Sequence, residues 1–264
     1  MNYKINYICI SDIGKRRSEN QDNYCCGGNS LDRKYTLQSG AYVPISGSID
    51  SRQPEVIGVF DGMGGEQCGD IASMIAADTA KAAEMTGDPE SDLLKICHSA
   101  NAEICRFVED HHLRCMGTTA AIAVFGKDSI TICNIGDSRI YLVSDGCMRQ
   151  ISLDHTEPVP YLAKPPLTQN LGLPEDDQAI EPYIAKGVYE DGDRFLFCTD
   201  GLTDMLSDEE IIGIINNAVL EEAAKSLVDT ALEKGGRDNI TIILCEIREE
   251  NRNLLQTIIR TMTA

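Results

Sequence analysis

The sequence predicts an α+β fold in which helices cover antiparallel strands, and three observations carry that reading. Short apolar runs joined by tight turns fill residues 118–151. Two stretches before them, 71–83 and 93–107, keep small or apolar residues at helical spacing. Near the end, Ile240 to Ile247 is apolar on both faces, as a strand in the middle of a sheet must be.

Size and charge set the limits. A chain of 264 residues with 42% hydrophobic content can bury a sizeable core, as one large domain or two small ones. Its net charge of −19, from 23 basic and 42 acidic residues, argues against binding nucleic acid or an anionic membrane. That charge suits a protein that collects cations. No run approaches the roughly 18 consecutive apolar residues of a membrane helix, and the opening Met-Asn-Tyr-Lys-Ile-Asn-Tyr lacks the apolar centre of a signal peptide. The eleven cysteines form no C-x-x-C pair and the four histidines show no zinc spacing, so reduced structural thiols in a cytoplasmic protein are expected. For adjacent Cys25 and Cys26, packing is favoured over redox chemistry.

Ile5 to Ile10 reads as a first strand, followed by a polar loop that sets Arg16 and Arg17 before Asp22. Residues 25–55, rich in Gly and Ser, read as an exposed connection with short β-like pieces at 35–37 and 41–43 and no chemistry. Val56, Ile57, Val59 and Phe60 then form a buried strand that ends in Asp61, Gly62, Met63, Gly64 and Gly65. A helix follows from Ile71 to about Ala83. The next starts at Asp88-Pro89, with Asp as N-cap and Pro at the first helical position. His98, His111 and His112 fall on or after it as surface residues.

Strands are expected at 118–125, 130–135, 139–143 and 147–151, the last pair joined by the hairpin signal Asp145-Gly146. Five prolines make 154–181 a surface loop. Order returns with the strand 193–199, which ends in Asp200-Gly201. Ser207 and Glu210 form a capping box for a helix over Ile211 to Ile215. A further helix runs from Leu220 to Glu233 and stops at Gly235-Gly236. Residues 248–264 read as a charged linker and a short amphipathic helix.

Asp22, Asp61, Asp137, Asp200 and Asp238 each lie within a few residues of an expected strand end. If the fold gathers them, their mutual repulsion calls for cations. Oxygen-only ligands fit hard ions such as magnesium or manganese better than zinc. No EF-hand loop or Walker glycine loop is present.

Arg17-Ser-Glu-Asn-Gln-Asp22, Val59-Phe-Asp-Gly-Met-Gly-Gly65, Gly117-Thr-Thr119, Ile135-Gly-Asp-Ser-Arg139, Thr199-Asp-Gly-Leu202 and Gly236-Arg-Asp-Asn-Ile-Thr241 resemble, in order, the motifs of the metal-dependent serine/threonine protein phosphatases, the type-2C or PPM family in its bacterial form. One such motif is weak, but six in order are specific. The resemblance implies a four-layer α-β-β-α sandwich, with two antiparallel sheets flanked by helix pairs. A single phosphatase domain would span 1–247, with a reduced flap at 154–181 and a tail at 248–264.

By that resemblance Asp61 would bridge two manganese or magnesium ions, Asp200 and Asp238 would hold one, and Asp22 with the Gly62 carbonyl the other. Asp137, with Asp200, matches a third and weaker site. Arg17 matches the arginine that grips phosphate. A hydroxide bridging two ions would attack the phosphorus of phosphoserine or phosphothreonine, with no phospho-enzyme. His155 resembles part of a bacterial motif near the cleft, which makes it a candidate for substrate contact or proton transfer, with a surface histidine as the plain alternative. Phosphorylated proteins and a Ser/Thr kinase are the implied partners, and a monomer is expected. The competing readings are a pseudophosphatase that binds without turnover and a phosphomonoesterase of small molecules.

Gln21 departs from many eukaryotic members, which carry Glu there, and Met63 from some, which carry His. The stretch between His155 and Gly172 is shorter and richer in proline than the usual bacterial flap.

Overall fold

A computed structural model describes residues 2–32, 44–63, 68–160, 165–174 and 178–250. The pieces at 35–37 and 41–43, Gly64, Gly65 and the tail from 251 lie outside the described residues.

Two antiparallel sheets face each other. In the first, the strand order is β10 (Cys147–Gln150), β9 (Arg139–Ser144), β12 (Arg194–Cys198), β13 (Ile240–Glu249), β1 (Tyr3–Asp12) and β4 (Ile45–Asp50). In the second it is β11 (Tyr183–Val188), β8 (Ser129–Ile135), β7 (Ala120–Phe125), β5 (Val56–Met63), β2 (Asp22–Cys26) and β3 (Asn29–Ser30), with the short β6 (Gly117–Thr118) beside β5. β13 is central, as its two apolar faces require, and pairs with β1 and β12.

Ile5, Ile57, Phe125, Phe195 and Ile243 fill the space between the sheets. Helices α1 (Gly69–Ala82) and α2 (Pro89–Asp110) cover the second sheet. The alanines 72, 76 and 80 of α1 bring its backbone close to Phe60 and Leu93. After the one-turn α3 (Asp200–Thr203), α4 (Asp208–Asn217) and α5 (Leu220–Glu233) cover the first sheet through Ile211, Leu227 and Val228. Helix, sheet, sheet and helix thus form the four expected layers. No helix among the described residues is long and apolar enough to cross a membrane.

Local chemistry sets the helix ends. Asp88 accepts a hydrogen bond from Ser91 N–H at 3.5 Å, and Ser207 and Glu210 cap α4 reciprocally. Asp145 and Gly146 both take positive φ, as a two-residue hairpin of that twist demands.

Three expectations are corrected. The reading of 25–55 as an exposed connection fails for Cys25 and Cys26, which end the buried strand β2, and for β4, which extends the first sheet beside β1. β11 lies where no strand was expected. Its half-exposed edge position and the Lys186-Gly187 pair hide the strand pattern. The loop of 154–181 is not wholly a surface loop, since Gln169, Leu171 and Ile180 are buried and Leu171 bridges Thr118. Cys25 and Cys26 are buried, and all eleven cysteines are free thiols.

Candidate active site: an acid-walled pocket at the strand ends

The ends of β2, β5, β12 and β13 meet where the two sheets adjoin. Asp61, Asp137, Asp200, Asp238, Gly62 and Arg17 line one cavity of about 350 Å³, with Met63, Pro165 and Leu167 as its apolar part. A larger cavity of about 440 Å³ opens between the sheet edges beside Ile132, Tyr183 and Phe195. It contains no acid, so the chemistry selects the smaller one.

Asp22 stands opposite Asp61 in the β2–β5 register, almost wholly buried behind the pocket wall. Its Oδ2 accepts a hydrogen bond from the Thr199 hydroxyl at 2.8 Å. Burial pushes its carboxyl up to about 7, against the pull of Thr241 and Thr199, and the Asp238 charge adds to the rise. An acid so placed becomes comfortable as an anion only when positive charge is near.

Asp61 is fixed through its backbone. Its N–H donates to the Thr119 hydroxyl at 3.0 Å, and its carbonyl accepts from Thr119 N–H and the Thr118 hydroxyl, both at 2.9 Å. Gly62 has no room for a side chain, because a Cβ would lie 2.2 Å from the Gly69 carbonyl oxygen and 2.3 Å from that of Gln21. Asp200 opens α3, and Asp238 precedes β13.

Arg17, half-exposed on the β1–β2 loop, donates from Nη2 to Asp238 Oδ2 at 2.6 Å. The cation expected to meet phosphate therefore rests on an expected metal ligand. Among the described residues, no three His, Cys, Asp or Glu side chains already close on one point. The donor set still fits a hard cation in kind: carboxylates and backbone carbonyls held by rigid strand ends, without sulfur or imidazole.

His155 lies beside the pocket rather than in its wall. Its Nδ1 accepts from Gly136 N–H at 3.2 Å. His98, His111 and His112 are exposed, far along the chain from these acids.

Several polar residues were not singled out from the sequence. Asn239 ties down the Arg17 loop, donating from Nδ2 to the carbonyls of Ile13 and Glu19 and accepting from Gln21 N–H. Ser138 bonds Thr119, which in turn holds Asp61. These residues flank the noted acids in sequence. Their partners lie up to 226 positions away, so no local pattern shows the role.

Fold and pocket define the class: a four-layer sandwich with an acidic pocket at its strand ends and an arginine at the rim. The model of the protein phosphatase 2C family matches residues 46–241. The serine/threonine phosphatase stp of Listeria innocua is 31% identical over 269 residues, covering 93% of this chain and 95% of the relative. PstP of Mycobacterium tuberculosis is 30% identical over 97% of this chain, which spans 47% of PstP's length. The crystal structure of the PstP catalytic domain in complex with two manganese ions has a TM-score of 0.75 and 27% identity, covering 94% of this chain and all of that one. The chain belongs to the protein phosphatase 2C family.

Proposed function

We propose that this protein removes phosphate from phosphoserine and phosphothreonine in proteins, using divalent cations held in the acid-walled pocket. The observation that carries the reading is the convergence of acids from both sheets on one cavity with Arg17 at its rim. Asp61, Asp22 and the Gly62 carbonyl would hold one ion, and Asp61, Asp200 and Asp238 a second. Asp137 with Asp200 would serve a weaker third. Bound there, manganese or magnesium supplies Lewis acidity, acidifying water and offsetting charge on the phosphoryl group.

The chain's own residues do the rest. The guanidinium fork of Arg17 matches phosphoryl oxygens and would exchange Asp238 for them. Asn239 keeps the loop of Arg17 against the first sheet, and Thr119 keeps Asp61 at its height in the pocket. Met63, Pro165 and Leu167 make one part of the wall apolar and limit water there. The substrates are proteins phosphorylated by a Ser/Thr kinase, and the protein acts as a monomer in the cytoplasm.

Phosphate release from phosphothreonine peptides and from p-nitrophenyl phosphate tests this. Release with Mn²⁺ that EDTA abolishes is the expected result. No release in any divalent metal would favour a binding module. Turnover of p-nitrophenyl phosphate alone would favour small phosphoesters.

A further inference from the structure

His155 is the meeting point of two structures that the sequence keeps apart: the turn carrying Asp137 and the loop carrying Leu167. The segment Leu153 to His155 is stitched to the β8–β9 turn residue by residue. Leu153 exchanges two hydrogen bonds with the Asn134 side chain, at 2.7 and 3.0 Å. Asp154 takes Arg139 Nη2 at 2.7 Å and Nε at 2.9 Å. His155 then closes on Gly136 twice: its backbone N–H donates to the Gly136 carbonyl at 2.9 Å, and Gly136 N–H donates to its Nδ1.

Gly136 is a sensitive point to hold. Its φ is +98°, and a Cβ there would lie 2.5 Å from Thr119 Cγ2. Thr119 also binds Ser138 and both backbone groups of Asp61. A shift of the Gly136 peptide is therefore felt at Asp137, the next residue, and at Asp61 through Thr119. On its other side the His155 carbonyl accepts Thr168 N–H at 2.9 Å, Thr156 bridges Leu167, and Glu157 N–H reaches the Pro166 carbonyl at 3.2 Å. Leu167 and Pro165 are part of the pocket wall.

We propose that His155 is a positioning residue: it clasps Gly136 with its ring and backbone and Thr168 with its carbonyl, so that one residue sets Asp137 and Leu167 relative to Asp61. A backbone N–H can only donate, so Nδ1 is the acceptor and the ring proton sits on Nε2. Nδ1 is thereby occupied in structure and is not the atom that hands a proton to a leaving group. The role rests on the proposed phosphatase activity, but the clasp itself does not.

The test compares His155→Ala, His155→Asn and the wild type. Asparagine places an acceptor oxygen close to where Nδ1 lies, whereas alanine removes it, and the backbone bonds survive in both. Three readouts are needed: amide hydrogen exchange at Gly136, turnover of p-nitrophenyl phosphate, and turnover of a phosphothreonine peptide, all with Mn²⁺. The alanine variant should exchange Gly136 N–H at least about tenfold faster and lose roughly 10- to 100-fold in turnover, the range for a lost partner behind a metal site. The loss should be equal on both substrates, and asparagine should recover most of it. A loss confined to the peptide, whose alkoxide needs a proton, with no rescue by asparagine, would overturn positioning in favour of proton transfer. Unchanged exchange and turnover in His155→Ala would overturn it outright. Wild-type protein inert on both substrates would sink the phosphatase reading, while Gly136 exchange would still report on the clasp.

Discussion

Asp22, Asp61, Asp200 and Asp238 sit on or beside the ends of β2, β5, β12 and β13, whereas Asp137, Leu167 and Arg17 depend on connections between elements. On the first side, ladder hydrogen bonds and buried apolar neighbours such as Phe60, Cys198 and Ile240 hold the backbone, with the Thr118 and Thr119 hydroxyls added at Asp61. On the second, side chains do that work: Asn134, Arg139 and His155 for the Asp137 turn, and Asn239 for the Arg17 loop. Strand ends supply fixed charge at low entropic cost, while loops supply groups that must adjust when a substrate arrives. Substitutions on the first side should abolish activity, and those on the second should tune it.

The largest effect belongs to Asp61→Asn. Its turnover should fall by more than the roughly 100-fold that loss of an outer partner costs, with little change in thermal stability, since the backbone bonds of residue 61 remain. Near-normal rates would remove Asp61 from the reaction. Arg17→Ala should raise KM by about tenfold with a smaller change in kcat, because one half-exposed charge-assisted contact is lost. An unchanged KM would take Arg17 off the phosphate. Asp137→Ala should lower kcat by roughly 10- to 100-fold and leave two tight ions, as a metal count on the purified variant can check.

A smaller effect comes from Asp22. Its folded pKa of about 7 lies above its ordinary value of 3.8, so the folded state keeps that proton to higher pH than the unfolded chain. The contribution is full below about pH 4 and is lost as pH rises through about 7. In EDTA the melting temperature should therefore fall between about pH 5 and pH 8, and Mn²⁺, which favours the ionised form, should flatten that fall. A rise over the interval in EDTA would remove the buried proton from the account.

How much of this could be read from the sequence follows the same division. The capping box at Ser207, the helix ending at Gly235-Gly236 and the two-faced strand of β13 rest on local spacing, and the structure has each of them. The acids were visible because each lies within a few residues of an expected strand end. β2 was missed because Asp22-Asn-Tyr-Cys-Cys26 shows no alternation and is buried on both sides. β4 and β11 are edge strands with exposed residues and glycines, so their pattern is weak. The tie from Asn239 to Ile13 spans 226 positions, and His155 reaches Gly136 across a whole hairpin. Such contacts exist only once the chain has folded.

Calorimetric titration of Mn²⁺ into the EDTA-stripped protein tests most directly whether these strand ends form a cation site. Two tight ions per chain in the wild type, with the tight sites lost in Asp61→Asn, is the predicted result. A wild type that takes up no manganese, or a variant that binds it unchanged, would contradict the account.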